Sequence, residues 1–136
     1  MDDFRQMISL DDLTSDATIT LARTAAEAIR GRNWTTNCHA GLDQPSVAYD
    51  VLGALSQAAG RLGQLLSQII RYLDQALAAG TLGHDRGQDP ALPVEGAVIF
   101  LGDARRSAAA LAGDLDAGQQ QLALINGRPR NRKDQP

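Results

Sequence analysis

The sequence predicts an all-α protein built on a long antiparallel helical hairpin with a shorter helix before it. Three observations lead there. Apolar residues recur at alternating spacings of three and four along two long stretches, about 45–79 and 90–126. Pro45 and Pro90 stand at the heads of those stretches, where a missing N–H costs a helix nothing. Gly80 and Asn126-Gly127 stand at their ends, where helices stop.

The first 14 residues hold Phe4, Met7 and Ile8 at helical spacing, and are read as a short segment able to dock on the rest. A first helix of about 16–30 follows, with Ser15 as its N-cap and Asp16 in its first turn. Thr18, Leu21, Ala22, Ala25, Ala28 and Ile29 form its stripe, and Gly31 is placed as its C-terminal stop.

The second helix carries the strongest pattern. With Leu52 at heptad position a, Leu52, Leu55, Ala59, Leu62, Leu66, Ile69, Leu73 and Ala76 fill every a and d position. A second ridge is made of small residues, Gly53, Ser56, Gly60, Gly63 and Ser67. Glycine inside a helix costs about 1 kcal/mol relative to alanine, so these glycines imply another backbone close by. Gly53, Gly60 and Gly63 are accordingly assigned to the partner or dimer interface.

The third helix has a smaller-residue seam of Val94, Ala97, Leu101, Ala104, Ala108, Leu111, Leu115, Gly118, Leu122 and Ile125. Val98, Ile99 and Phe100 extend its apolar surface beyond that seam. The linker GTLGHDRGQD is short enough to fold the two long helices back on each other. The first helix spans half their length, so an apolar patch is left over. A homodimer that completes a four-helix or larger bundle covers it; another helical protein is the alternative partner. Val98, Ile99 and Phe100 are the expected contacts. The bundle domain thus runs over 15–127, and 128–136 form a basic, disordered tail.

Composition narrows the function. A chain of 136 residues with 43% apolar residues fits one domain. It has no long uncharged apolar run, so no membrane span is expected. One Cys cannot make an internal disulfide, which suits a reducing cytoplasm. Twelve Arg against one Lys, with 22 Ala, suggest a GC-rich bacterial genome. Arg128, Arg130, Arg132 and Lys133 against Asp134 give the tail +3, leaving −6 on residues 1–127 out of the net −3. Nucleic acid therefore enters only as a weakly supported partner, held through those four tail residues.

The rare residues gather in RNWTTNCHAG, 32–41, which contains Trp34, Cys38 and His39. His84 lies in the linker, at the far end of the hairpin and about 50 Å away by the helical rise, so the three cannot share a metal. Phosphate-binding glycine loops and Glu-x-x-His pairs are absent from the sequence, and no cofactor or metal is expected. Architecturally, the stretch reads as a loop in which Trp34 plugs the open end of the hairpin. In length and hairpin shape the chain is similar to the WXG100 family, whose turn carries Trp-x-Gly where this one has GTLGHDRGQD.

Arg32-Asn33 followed by His39 resembles the Arg-polar-x(4–6)-His motif of HEPN domains, all-α proteins that often dimerise and include metal-independent ribonucleases. That resemblance implies Arg32 stabilising phosphate charge, Asn33 positioning it and His39 as acid/base. The leading expectation is a non-enzymatic helical interaction protein: an adaptor, a regulator or an assembly subunit. A nucleic-acid accessory factor and a HEPN-like ribonuclease are the alternatives.

Overall fold

The computed structural model describes the backbone of residues 15–37 and 41–128, with side chains over 15–31 and 41–128. It is all-α: α1 spans Ser15–Asn37, α2 spans Pro45–Ala78 and α3 spans Ala91–Gln121. No strand occurs among the described residues.

The described residues fall into two compact units that divide between Asp43 and Gln44. In the first, α1 opens at Ser15 with Asp16 in its first turn, as expected. It does not stop at Gly31. The helix continues six residues further, so Arg32, Asn33 and Trp34 have helical backbone rather than loop backbone. Gly31 keeps a negative φ, and one interior glycine costs only about 1 kcal/mol, less than the further helical bonds supply. Over residues 15–31 of α1 most side chains are exposed, Ile19 and Ile29 included, and only Ala17 and Leu21 are half-buried. Thr24 Oγ1 donates to the Thr20 carbonyl at 2.8 Å and Arg30 pairs with Glu27 at 3.5 Å, both one turn away in the same helix.

The second unit is the antiparallel hairpin. Pro45 opens α2, with Gln44 extended before it. Its end is a complete Schellman motif. Gly80, at φ +71°, donates to the Leu77 carbonyl at 3.2 Å, and Thr81 N–H reaches the Ala76 carbonyl at 3.1 Å. The Thr81 hydroxyl donates to that same carbonyl at 3.1 Å. Past the linker, Asp89 Oδ1 accepts from Ala91 N–H at 2.9 Å, so its side chain satisfies one of the orphan donors that begin α3.

The two long helices pack along a seam that sequence periodicity phases incorrectly. Along the a and e rows of α2 the half-buried and buried positions are Leu52, Ser56, Ala59, Gly63, Leu66, Ile70, Leu73 and Leu77. Along the same rows of α3 they are Val94, Val98, Leu101, Ala108, Ala112, Leu115, Gln119 and Leu122, with Arg105 exposed among them. Every a position survives, but its companion is e rather than d. Leu55, Leu62 and Ile69 are 38%, 46% and 39% exposed, and Leu111 is 50% exposed. Ala97, Ala104 and Gly118 are exposed too; Ala76, at 8%, is the one d position that is buried.

The reason is distance of approach. Position e of α2 supplies Ser56 and Gly63, so the helices close to where Ser56 Oγ donates to the Ala112 carbonyl of α3 at 2.9 Å. A leucine row there would hold them apart. The closest packing is accordingly alanine on alanine: Ala59, Ala76 and Ala108 are the buried apolar residues.

α3 also ends five residues before the expected Asn126. After Gln121 the bonds tighten to three-residue spacing, Leu122 N–H to Gln119, Ala123 to Gln120 and Ile125 to Leu122. Leu124 is 94% exposed, so no packing rewards another α-turn there. The chain then returns to the start of α2, where a Cβ on Gly127 would stand 2.6 Å from Gln44 Oε1.

Candidate functional site

Hairpin packing sorts the remaining side chains into two unlike faces. In an antiparallel pair, like heptad positions lie on the same side of the plane through the two axes. Positions b and f of both helices make one face. It carries Gly53, Gly60, Ser67, Asp74, Gln57, Gln64 and Arg71 from α2 with Glu95, Gly102, Asp116, Arg106 and Gln120 from α3. Positions d and g make the other: Leu55, Ala58, Leu62, Leu65, Ile69 and Tyr72 from α2, with Ala97, Phe100, Ala104, Ser107, Leu111, Asp114 and Gly118 from α3.

The polar contacts between the helices all originate from b and e positions. Besides Ser56 to Ala112, Gln119 Nε2 donates to the Tyr49 carbonyl at 3.1 Å. Arg105 Nη1 donates to Ser67 Oγ at 3.1 Å, and that hydroxyl donates to the Gly63 carbonyl at 3.1 Å. Gly53 lies under the Gln119 amide, and Gly63 is within 4.0 Å of the Arg105 stem. The neighbour that these two glycines admit is therefore α3 of the same chain, and not the partner or second copy expected of them. Gly60 faces open space.

The d/g face has no such contacts. Tyr72 is 63% exposed, Phe100 75% and Leu65 43%, whereas Ile99, 65% exposed, stands at position f on the opposite face. Val98, assigned with Ile99 and Phe100 to one patch, turns instead into the seam and is half-buried. The candidate site is thus a ribbon two helices wide, large and apolar along α2 and mostly small along α3 apart from Phe100 and Leu111, with Arg61 on the outer edge of α2, Asp103 on that of α3 and Asp114 beside it at position g. Asp103 also pairs with Arg106 one turn on. The exposed d residues of α2 are the same leucines that the periodicity assigns to the intramolecular core.

The other candidates contribute less. Arg32 and Asn33 lie on the last turns of α1, but their side chains, and all of Cys38 and His39, fall outside the described residues, so no Arg–His geometry is defined. Arg130, Arg132 and Lys133 also fall outside them, as do residues 1–14; Arg128 is exposed. His84 has a local role, its Nδ1 accepting Arg86 N–H at 3.1 Å while its carbonyl accepts Gly87 N–H at 2.9 Å. Together these bonds form a turn whose lining residues, Gly83 to Arg86 and Gln88, enclose only a shallow, open depression. No group of His, Cys, Asp or Glu able to hold a metal occurs among the described residues, and no described helix is long and apolar enough to cross a membrane. No protein-family model, curated protein or solved structure matches this chain.

Proposed function

We propose that this chain is a non-enzymatic helix-packing module, an adaptor, regulator or assembly subunit, whose working surface is the d/g face of the hairpin. The observation that carries the reading is the pair of exposed heptad rows on α2, in which Leu55, Ala58, Leu62, Leu65, Ile69 and Tyr72 repeat every three and four residues. Such a seam matches a helical partner, since knobs at that period fit the holes of a facing helix. A two-helix hairpin whose fully buried residues are alanines leaves Leu55, Leu62, Leu65, Ile69, Tyr72, Phe100 and Leu111 exposed on one face, and a third and fourth helix would cover them. The single Cys and the Arg- and Ala-rich composition support a bacterial, cytoplasmic setting.

Thiol labelling tests the reading. In a Cys38→Ser background, Leu65→Cys lies on the d/g face and Gln64→Cys on the opposite one. In cells that produce the protein, the Cys at position 65 is expected to react with a maleimide at least tenfold more slowly than the Cys at 64. Equal rates would remove the d/g face as an interaction surface. Slow labelling that persists in purified protein shown to be monomeric would assign the cover to another part of the same chain and equally end the reading.

A further inference from the structure

Resting on the reading just given, the geometry points to one occupant of the d/g face: a second copy of this chain, stacked so that α2 of each copy lies over α3 of the other. In that arrangement the two-fold axis runs parallel to the helices and both hairpin turns lie at the same end.

Area makes self-association sufficient. Leu55, Leu62, Leu65, Ile69, Tyr72 and Phe100 keep 38–75% of their surface exposed. With Leu111 and the alanines between them, they offer an area on the order of the roughly 800 Å² per partner that a stable pair of proteins buries.

Shape selects the pairing. The α2 half of the face is large, with Leu55, Leu62, Leu65, Ile69 and Tyr72, whereas the α3 half is mostly small, with Ala97, Ala104, Ser107 and Gly118. Cores fill best when large side chains meet small ones across the interface. Placing α2 over the partner copy's α3 sets the large side chains of α2 mostly against small ones, with Phe100 and Leu111 the large residues on the α3 side. The other two-fold stack, α2 over α2 and α3 over α3, would crowd large on large and leave small on small.

Charge selects the same pairing. Ser56 contacts Ala112, Gly63 contacts Arg105 and Gln119 contacts Tyr49, which fixes the height of each α2 residue against α3. On that register Arg61 lies level with the stretch between Asp103 and Asp114. Stacking α2 over α3 therefore sets the Arg61 edge of one copy beside the Asp103 and Asp114 edge of the other. Because Arg61 stands near the middle of Pro45–Ala78, the alternative stack would bring it against its own copy. It would also bring Asp103 against the second copy's Asp114. Opposed charges at a rim mainly set orientation, and like charges there penalise the wrong one.

The test uses the full chain carrying Cys38→Ser and Arg86→Cys, a position exposed in the linker turn, with a spin label on the introduced thiol. The mass in solution is expected to be twice the 14.4 kDa of the chain. The label-to-label distance is expected to be about 20 Å or less, a few helix spacings of 8–10 Å. A distance near 50 Å, the length of α2 at 1.5 Å per residue, would overturn the proposal in favour of the α2-over-α2 stack. A monomer at millimolar concentration would overturn it as well. In that case, continued protection of the Cys at position 65 in cells would keep the interaction module and exclude only self-association. Leu62→Asp is expected to raise the dissociation constant at least tenfold, and Phe100→Ser, at a 75% exposed site, serves if Leu62→Asp fails to fold. A dimer unaffected by both substitutions would place the contact elsewhere and end the proposal.

Discussion

The two faces of the hairpin are built from the same pair of helices by opposite means. On the b/e side, contact is made by small and polar groups: Ser56, Gly63 and Ser67 of α2 meet Ala112, Arg105 and Gln119 of α3, and each hydrogen bond ends on a carbonyl or a hydroxyl. On the d/g side the large aliphatic and aromatic residues are left facing outward. The difference teaches that the most hydrophobic stripe of a helix need not be the one that packs on its nearest neighbour in the chain. Close approach goes to the stripe whose side chains are small, and the larger stripe is left for a further layer.

The largest effect should come from charging the d/g face. Leu62→Asp with Ile69→Asp is expected to weaken association about 100-fold or more, because each removes about 1–2 kcal/mol of apolar burial and buries a carboxylate. Gln57→Asp with Gln64→Asp, on the other face, should leave it within about threefold. Sedimentation equilibrium across a range of concentrations measures both.

Next in size is overpacking the closest approach. Ala108→Leu, at a position 5% exposed, should destabilise the fold by about 1–3 kcal/mol in urea unfolding. Ala109→Leu, one residue on and exposed, should change it by less than about 0.5 kcal/mol. Similar losses at both positions would mean that the seam is not where Ala59 and Ala108 place it.

The glycines give a smaller contrast. Gly60 has open space beyond its Cα, so Gly60→Ala should stabilise α2 by roughly 0.5–1 kcal/mol. Gly53→Ala would gain the same helical preference but displace the Gln119 amide from the Tyr49 carbonyl, leaving a net change near zero. Thermal unfolding of the two variants side by side reads the difference. The smallest effect belongs to Ser56→Ala. Losing its bond to Ala112 costs about 0.5–1 kcal/mol, partly offset by alanine's helix propensity.

Much of the architecture was legible in the sequence, for reasons specific to particular residues. Pro45 and Gly80 mark α2 because one has no N–H to lose and the other accepts a left-handed backbone that a side chain resists. Gly31 and Asn126-Gly127 carry similar signals and mislead, since whether a helix passes a glycine depends on what the next turn gains. The heptad phase was less legible. Positions d and e are both compatible with a seam in α2, and hydrophobicity favours Leu55, Leu62 and Ile69 over Ser56 and Gly63. Only inter-helix distance, a tertiary quantity, reverses that order. The small-residue ridge did signal close approach, and its neighbour at Gly53 and Gly63 is the chain's own third helix. The outward patch at Ile99 and Phe100 was legible because the two exceed what one seam can cover, while Val98 beside them belongs to the seam.

The way Ser56, Arg105 and Gln119 tie the hairpin together also governs its response to salt. Each of the three bonds has at least one neutral end, and both ion pairs among the described residues lie within a single helix. Screening therefore has little to weaken between α2 and α3. Arg61, Asp103 and Asp114, set along the outer edges, are the groups that counterions reach first. Ionic strength thus leaves the fold of one hairpin nearly untouched while it modulates how hairpins find one another.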